Sequence, residues 1–152
     1  MKKTRGKIIS FNLSHSHGLA LYAITRGRRV GIDVELVRPN LENTKIAQRF
    51  FSPREVAAIN ALPTHVHQEA FFKCWTRKEA YIKARGEGLS INLDKIELII
   101  DPAETAVILK SNGNQEEASL WSLKEVLPGP GYIAALATEG HDWPPAYWQW
   151  QA

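Results

Sequence analysis

Residues 30–36 read Val30-Gly31-Ile32-Asp33-Val34-Glu35-Leu36, an alternation of apolar side chains with a glycine and two acids. Successive side chains of a strand leave opposite faces. The alternation therefore predicts a strand with Val30, Ile32, Val34 and Leu36 on one face. Gly31, Asp33 and Glu35 share the other. The apolar face pins the register, because a slip of one residue would exchange the two faces. Arg38-Pro39-Asn40 ends the strand.

Upstream, residues 7–11 read as a short strand, Asn12 to Gly18 as a turn rich in Ser and His, and Leu19 to Thr25 as a second strand. Downstream the period changes. Ser52-Pro53-Arg54-Glu55 has the form of a helix start, with Ser as N-cap, Pro at the first helical position and Glu three residues after the cap. That helix runs to about Leu62. Thr64 is placed to cap a long helix to about Arg85, closed by Gly86. Strands return near 94–100, 105–110, 118–124 and 131–138, joined by Asp101-Pro102, Asn112-Gly113 and Pro128-Gly129-Pro130-Gly131. Strands, then helices, then strands predict an α+β fold, a mostly antiparallel sheet with helices packed on one side. The domain reading is a leading hairpin over 1–28, a main lobe over 29–140 and a tail over 141–152. The tail, Trp143 to Trp150, reads as a packed terminal segment.

The 152 residues are 44% apolar and 23% charged, an ordinary composition that excludes disordered and low-complexity classes. The net charge of +3 is concentrated at Lys2, Lys3, Arg5 and Lys7, then Arg26, Arg28 and Arg29. Such runs form either a solvated face or a surface for a polyanion. A nucleic-acid-binding domain is disfavoured, because neither an aromatic-basic stacking pattern nor a recognition helix is present. The lone cysteine, Cys74, excludes an internal disulfide and fits a reducing, cytoplasmic setting. It falls mid-helix and reads as a packing residue. No stretch is long and apolar enough to span a membrane.

Asp33 and Glu35 are two apart on one strand face. Two carboxylates side by side repel unless a cation lies between them. A hard divalent ion such as Mg²⁺ suits such oxygen ligands, while a solvated acidic pair is the plainer reading. Glu79 and Lys83, four apart on the long helix, share a face with Trp75. They are either a surface ion pair or a third metal ligand beside a cation for phosphate. Ser14 and His15 offer a hydroxyl and an imidazole suited to phosphate oxygens. A Ser–His nucleophile is disfavoured, since no Gly-x-Ser-x-Gly elbow is present. His65 and His67 have the wrong spacing for a helical metal pair. Neither Gly-x-x-x-x-Gly-Lys-Ser/Thr nor Gly-x-Gly-x-x-Gly occurs, which counts against the usual nucleotide-binding folds.

Phe11-Asn12-Leu13-Ser14-His15-Ser16, then Val30 to Glu35, then Phe50-Phe51-Ser52-x-x-Glu55, then Trp75-Thr76-x-Lys78-Glu79-Ala80-Tyr81-x-Lys83 through Gly86-x-Gly88-Leu89, together resemble the surfactin-synthetase type of 4'-phosphopantetheinyl transferase. The resemblance spans roughly residues 7–100, in the family's order. It implies transfer of phosphopantetheine from coenzyme A to a serine of an acyl or peptidyl carrier protein, with release of 3',5'-ADP. It implies Asp33, Glu35 and Glu79 as Mg²⁺ ligands, Lys83 and Lys78 at the phosphates, and Ser14 and His15 at the 3'-phosphate. Lys7 takes the place of a further basic residue for coenzyme A. Glu79 and Glu55 are the candidates for the base that takes the serine proton; Glu79 is favoured because Glu55 also has the capping role.

Enzymes of this type have two similar halves with the active site at the seam, and the Ser-His turn closes the first half. Here that turn begins at residue 12, so most of a first half, including the adenine-holding region, is expected to lie outside this chain. The smaller acyl-carrier-protein synthases place the Asp-x-Glu strand first and the Ser-His turn last, an order this chain does not share. A truncated enzyme is the favoured expectation. A compact variant completed by self-association and a non-catalytic coenzyme A or carrier-protein binding module are the alternatives.

Overall fold

The structure is a computed structural model and describes residues 8–39, 42–100 and 108–151. Lys2, Lys3, Arg5, Lys7, the Asp101-Pro102 turn and the first part of the 105–110 strand lie outside the described residues.

The 30–36 stretch forms β3 (Val30–Leu36), with the boundaries its alternation predicts. It pairs antiparallel with β7 (Tyr132–Glu139), which pairs antiparallel with β6 (Trp121–Val126), giving the order β3-β7-β6. Val30, Ile32 and Val34 pack with Val126, Ala134 and Leu136 on one face of this sheet. A hairpin of β1 (Ile9–Ser16) and β2 (Leu19–Arg26) lies over that face, contributing Leu19, Leu21 and Ala23. On the other face lies α3 (His67–Arg85), packed on β3 and β7. Before it come α1 (Asn43–Phe50) and α2 (Pro53–Ala61). A short ladder of β4 (Ile96–Leu98) and β5 (Ile108–Ser111), with α4 (Gln115–Ser119), completes the order. The α+β expectation, an antiparallel sheet with its helices on one side, is met.

The contact between β3 and α3 is unusually close. A Cβ added to Gly31 would lie 2.0 Å from the Ala80 carbonyl oxygen and 2.4 Å from the Ala84 nitrogen. Only hydrogen fits there, and Ala80 and Ala84 keep the facing helix surface small. The helix therefore lies directly over the side chains that flank Gly31.

The predicted capping box is present. The Ser52 hydroxyl accepts from Glu55 N at 3.2 Å, and Ser52 N donates to the Glu55 carboxylate at 2.8 Å. Gly86 closes α3 in the left-handed region at φ 68°. Cys74 is a buried packing residue, and burial pushes its thiol pKa up.

Several local expectations are corrected. Asn12 to Ser16 belongs to β1, and the reversal is confined to His17 and Gly18, both at positive φ (44° and 83°). That two-residue geometry matches the twist of a hairpin. Thr64 is not the cap of α3: Thr64–Val66 forms a 3₁₀ turn and α3 begins at His67. The strand expected from 118 begins at Trp121, because Asn114 caps the short α4 by accepting from Glu117 N at 3.1 Å. The tail packs only in part. Trp143 donates its indole N–H to the Ser122 hydroxyl, but Trp148 and Trp150 are each 92% exposed. Among the described residues no helix is long and apolar enough to cross a membrane.

Candidate active site

Asp33 and Glu35 leave β3 on the side of Gly31, toward α3. Helical spacing places Trp75, Glu79 and Lys83 one turn apart on the surface that meets them. The three carboxylates feel one another. Burial, and then Glu35, push the Glu79 pKa up, with Lys83 opposing. Burial also raises Glu35, where Arg38, His17, a hydrogen bond from Trp75 and Lys83 oppose. Asp33 is most affected. Burial drives its carboxyl up to about 7; Lys83 and the Ser14 hydroxyl oppose, while Glu35 and Glu79 add to the rise. Its second oxygen, Oδ2, is buried without a hydrogen-bond partner.

Lys83 stands at this cluster and does more than neutralise it. Its ammonium donates to Ile32 O at 2.6 Å and to Leu13 O at 3.0 Å, and lies 3.6 Å from Asp33 Oδ1. It thereby joins β1 to β3. The same seam has a second set of bonds. Ile32, Val34 and Leu36 donate their backbone N–H groups to the side-chain oxygens of Asn12, Ser14 and Ser16, at 2.9, 3.1 and 3.1 Å. Alternate residues of β1 thus satisfy the free edge of β3 through side chains, where a main-chain ladder would ordinarily do so. Ser14 also donates to Asp33 Oδ1 at 3.3 Å. The Ser14 hydroxyl is engaged twice and buried, whereas His15 is exposed.

Two candidate residues are not brought to this cluster. Glu55 and Lys78 are fully buried and form an ion pair with each other. Glu55 additionally accepts from Leu98 N at 2.9 Å, and Lys78 donates to Leu93 O at 2.8 Å. The expectations of Glu55 as base and Lys78 as phosphate contact are therefore corrected. A base or phosphate ligand must reach substrate, and these groups face core backbone. Sequence reasoning missed the supporting groups around Glu35: His17 and Arg38 as charges, and Trp75 as a donor. Arg38 was legible as a basic residue three after Glu35, and Trp75 as the residue four before Glu79.

Hard oxygen donors, mutual repulsion and the orphaned Asp33 Oδ2 all suit a divalent cation. Among the described residues no three His, Cys, Asp or Glu side chains converge closely enough to enclose an ion. A cavity of about 290 Å³ lies between α1, α2 and the start of α3; none of the three carboxylates lines it.

The raised pKa of Asp33 has a sign that can be measured. The folded chain keeps a proton that the unfolded chain releases near its ordinary 3.8. Stability therefore falls as pH rises from about 4 to about 7 and stays low above that. At about 1.4 kcal/mol per pKa unit, Asp33→Asn should stabilise the metal-free protein by on the order of 2–4 kcal/mol at pH 8. The gain should vanish near pH 4. Urea denaturation in a chelator at both pH values checks this.

Comparison with known proteins places this geometry. Residues 29–137 match the model of the 4'-phosphopantetheinyl transferase superfamily. The chain is 41% identical over 140 residues to the 4'-phosphopantetheinyl transferase HetI of Nostoc sp. strain PCC 7120, covering 92% of this chain and 56% of that protein. It is 30% identical over 135 residues to the 4'-phosphopantetheinyl transferase Sfp of Bacillus subtilis strain 168, covering 88% and 57%. The chain thus spans about half the length of these relatives. A solved ACPS–CoA complex of Chronobacterium ammoniagenes shares the fold, with a TM-score of 0.57 at 19% identity, covering 76% of this chain and 98% of that one. With the family model matched across β3, α3 and the β6–β7 pair, this chain belongs to the 4'-phosphopantetheinyl transferase superfamily.

Proposed function

We propose that this chain carries the catalytic lobe of an enzyme moving 4'-phosphopantetheine from coenzyme A to a serine of an apo acyl or peptidyl carrier protein, releasing 3',5'-ADP. The observation that carries the reading is the Asp33, Glu35 and Glu79 cluster with its orphaned oxygen, in a member of this family. Asp33, Glu35 and Glu79 are the residues that would hold Mg²⁺. When bound, the ion neutralises the pyrophosphate and supports the departing 3',5'-ADP.

The chain's own residues supply the rest. Lys83 holds a positive charge beside the carboxylates, within reach of an incoming phosphate if it exchanges a carbonyl partner. The Glu79 carboxylate takes the proton from the carrier serine hydroxyl. The serine oxygen bonds to the phosphopantetheine phosphorus, and the anhydride bond to 3',5'-ADP breaks. His15, exposed beside Ser14, is the side chain there free to meet a phosphate; Ser14 supports it through β1. Lys7 remains a proposed contact for coenzyme A. The setting proposed is cytoplasmic, where coenzyme A and carrier proteins meet.

Residues 1–28 are read as the end of a further lobe. Ile9, Phe11, Tyr22 and Ile24 are exposed together on the outer face of the β1–β2 hairpin. Such a patch supports packing against more protein, either that lobe or a second copy.

The test is incubation of the 152-residue chain with coenzyme A, Mg²⁺ and an apo carrier protein, followed by intact-mass analysis. The carrier should gain the mass of phosphopantetheine. Binding of coenzyme A without any transfer at high protein concentration would favour a non-catalytic binding module.

A further inference from the structure

The Glu55–Lys78 pair has no part in the chemistry proposed above, yet it is among the most completely buried polar features of the described residues. It ties together four backbone points. Glu55 accepts from Ser52 N and Leu98 N, while Lys78 donates to Leu93 O and, at 3.5 Å, to Phe50 O. These points belong to the α1–α2 junction, the turn after α3, and β4. The Lys78 ammonium also lies 5.1 Å from the centre of the Phe51 ring.

Desolvating two charges is costly, and well-packed apolar residues often replace such a pair without loss of stability. The pair is therefore better explained by what it specifies. Consecutive helical residues point about 100° apart around the axis. With Lys78 held by the core on one side of α3, Glu79 is turned toward β3. Trp75 and Lys83, four residues either side of Glu79, turn with it. Gly31 sets how closely α3 approaches β3, but a close approach alone leaves rotation about the helix axis undetermined.

We propose that the buried Glu55–Lys78 pair is a positioning device that sets the rotation of α3, and thereby aims Glu79 at Asp33 and Glu35. Neither residue touches substrate. The catalytic part of this inference rests on the function proposed above.

Lys78→Met alone leaves Glu55 buried and unpaired, and should melt far below the parent. The informative variant is Glu55→Gln with Lys78→Met, which removes both charges and keeps an acceptor and a donor at the site. Three measurements are made on it: the indole N–H resonance of Trp75 in metal-free protein, assigned with Trp75→Phe; direct binding of Mn²⁺; and kcat with KM for coenzyme A. In the folded double variant the Trp75 resonance should move, Mn²⁺ affinity should fall at least tenfold, and kcat should fall at least tenfold. A folded double variant with an unmoved Trp75 resonance, parental Mn²⁺ affinity and parental kcat would overturn the inference. If the parent protein itself neither binds Mn²⁺ nor transfers, the proposed function fails, and the Trp75 resonance alone then decides whether the pair sets α3.

Discussion

Glu79→Gln should reduce phosphopantetheinyl transfer roughly a thousand-fold while leaving the fold intact. Removal of a general base alone costs about 10²–10⁴ in rate. The same substitution removes one of the three proposed metal-holding carboxylates. The side-chain shape is unchanged, so half-buried packing along α3 is kept. Stability should hold or rise above neutral pH. Burial and the Glu35 charge raise the Glu79 pKa, so its ionised form is disfavoured in the folded chain and a neutral amide relieves that cost. It also removes a charge that raises Asp33. Intact-mass assays of carrier modification and thermal melts at pH 8 separate the two effects. Transfer within threefold of the parent would remove Glu79 from the mechanism.

The second large effect concerns a residue with no side chain. Gly31→Ala should destabilise the protein by about 3 kcal/mol or more and abolish transfer with it. The added methyl would meet backbone atoms of Ala80 and Ala84, which cannot turn away as a flexible side chain could. To relieve the overlap α3 must lift from β3. The lift would separate Asp33 and Glu35 from Glu79 and loosen Lys83 from Ile32 O. Urea denaturation reads the stability change. A loss below about 1 kcal/mol would show that the helix can shift cheaply and that Gly31 does not set the spacing.

The contrast between these residues shows what was legible in the sequence. Glu79, Asp33 and Glu35 could be read because strand and helix periodicities are local rules. A period of two puts both acids on one face of β3, and a period near four aligns Trp75, Glu79 and Lys83. The capping box at Ser52 and Glu55 was legible for the same reason, since it closes within one helical turn. Glu55 and Lys78 defeated the reading as chemical groups. Their partners are Leu98 N and Leu93 O, 43 and 15 residues away, and no periodicity announces such neighbours. The Ser-His segment was placed in a turn because its composition is that of one. In the fold its hydroxyls and amide satisfy the edge of β3, so tertiary hydrogen bonding overrides local turn preference.

By itself the sequence determined the strand that carries the acids, the α+β class and the helix that brings Glu79 and Lys83 to one face. These follow from side-chain alternation and spacing along the chain. Only the tertiary structure decided that α3 lies directly on Gly31, that Lys83 bridges β1 to β3 beside Asp33, and that Glu55 and Lys78 belong to the core. The physical reason is that burial and electrostatic coupling depend on distances through space. The raised pKa of Asp33 comes from the removal of water by packed elements and from charges on a different element, and neither is encoded at position 33 alone.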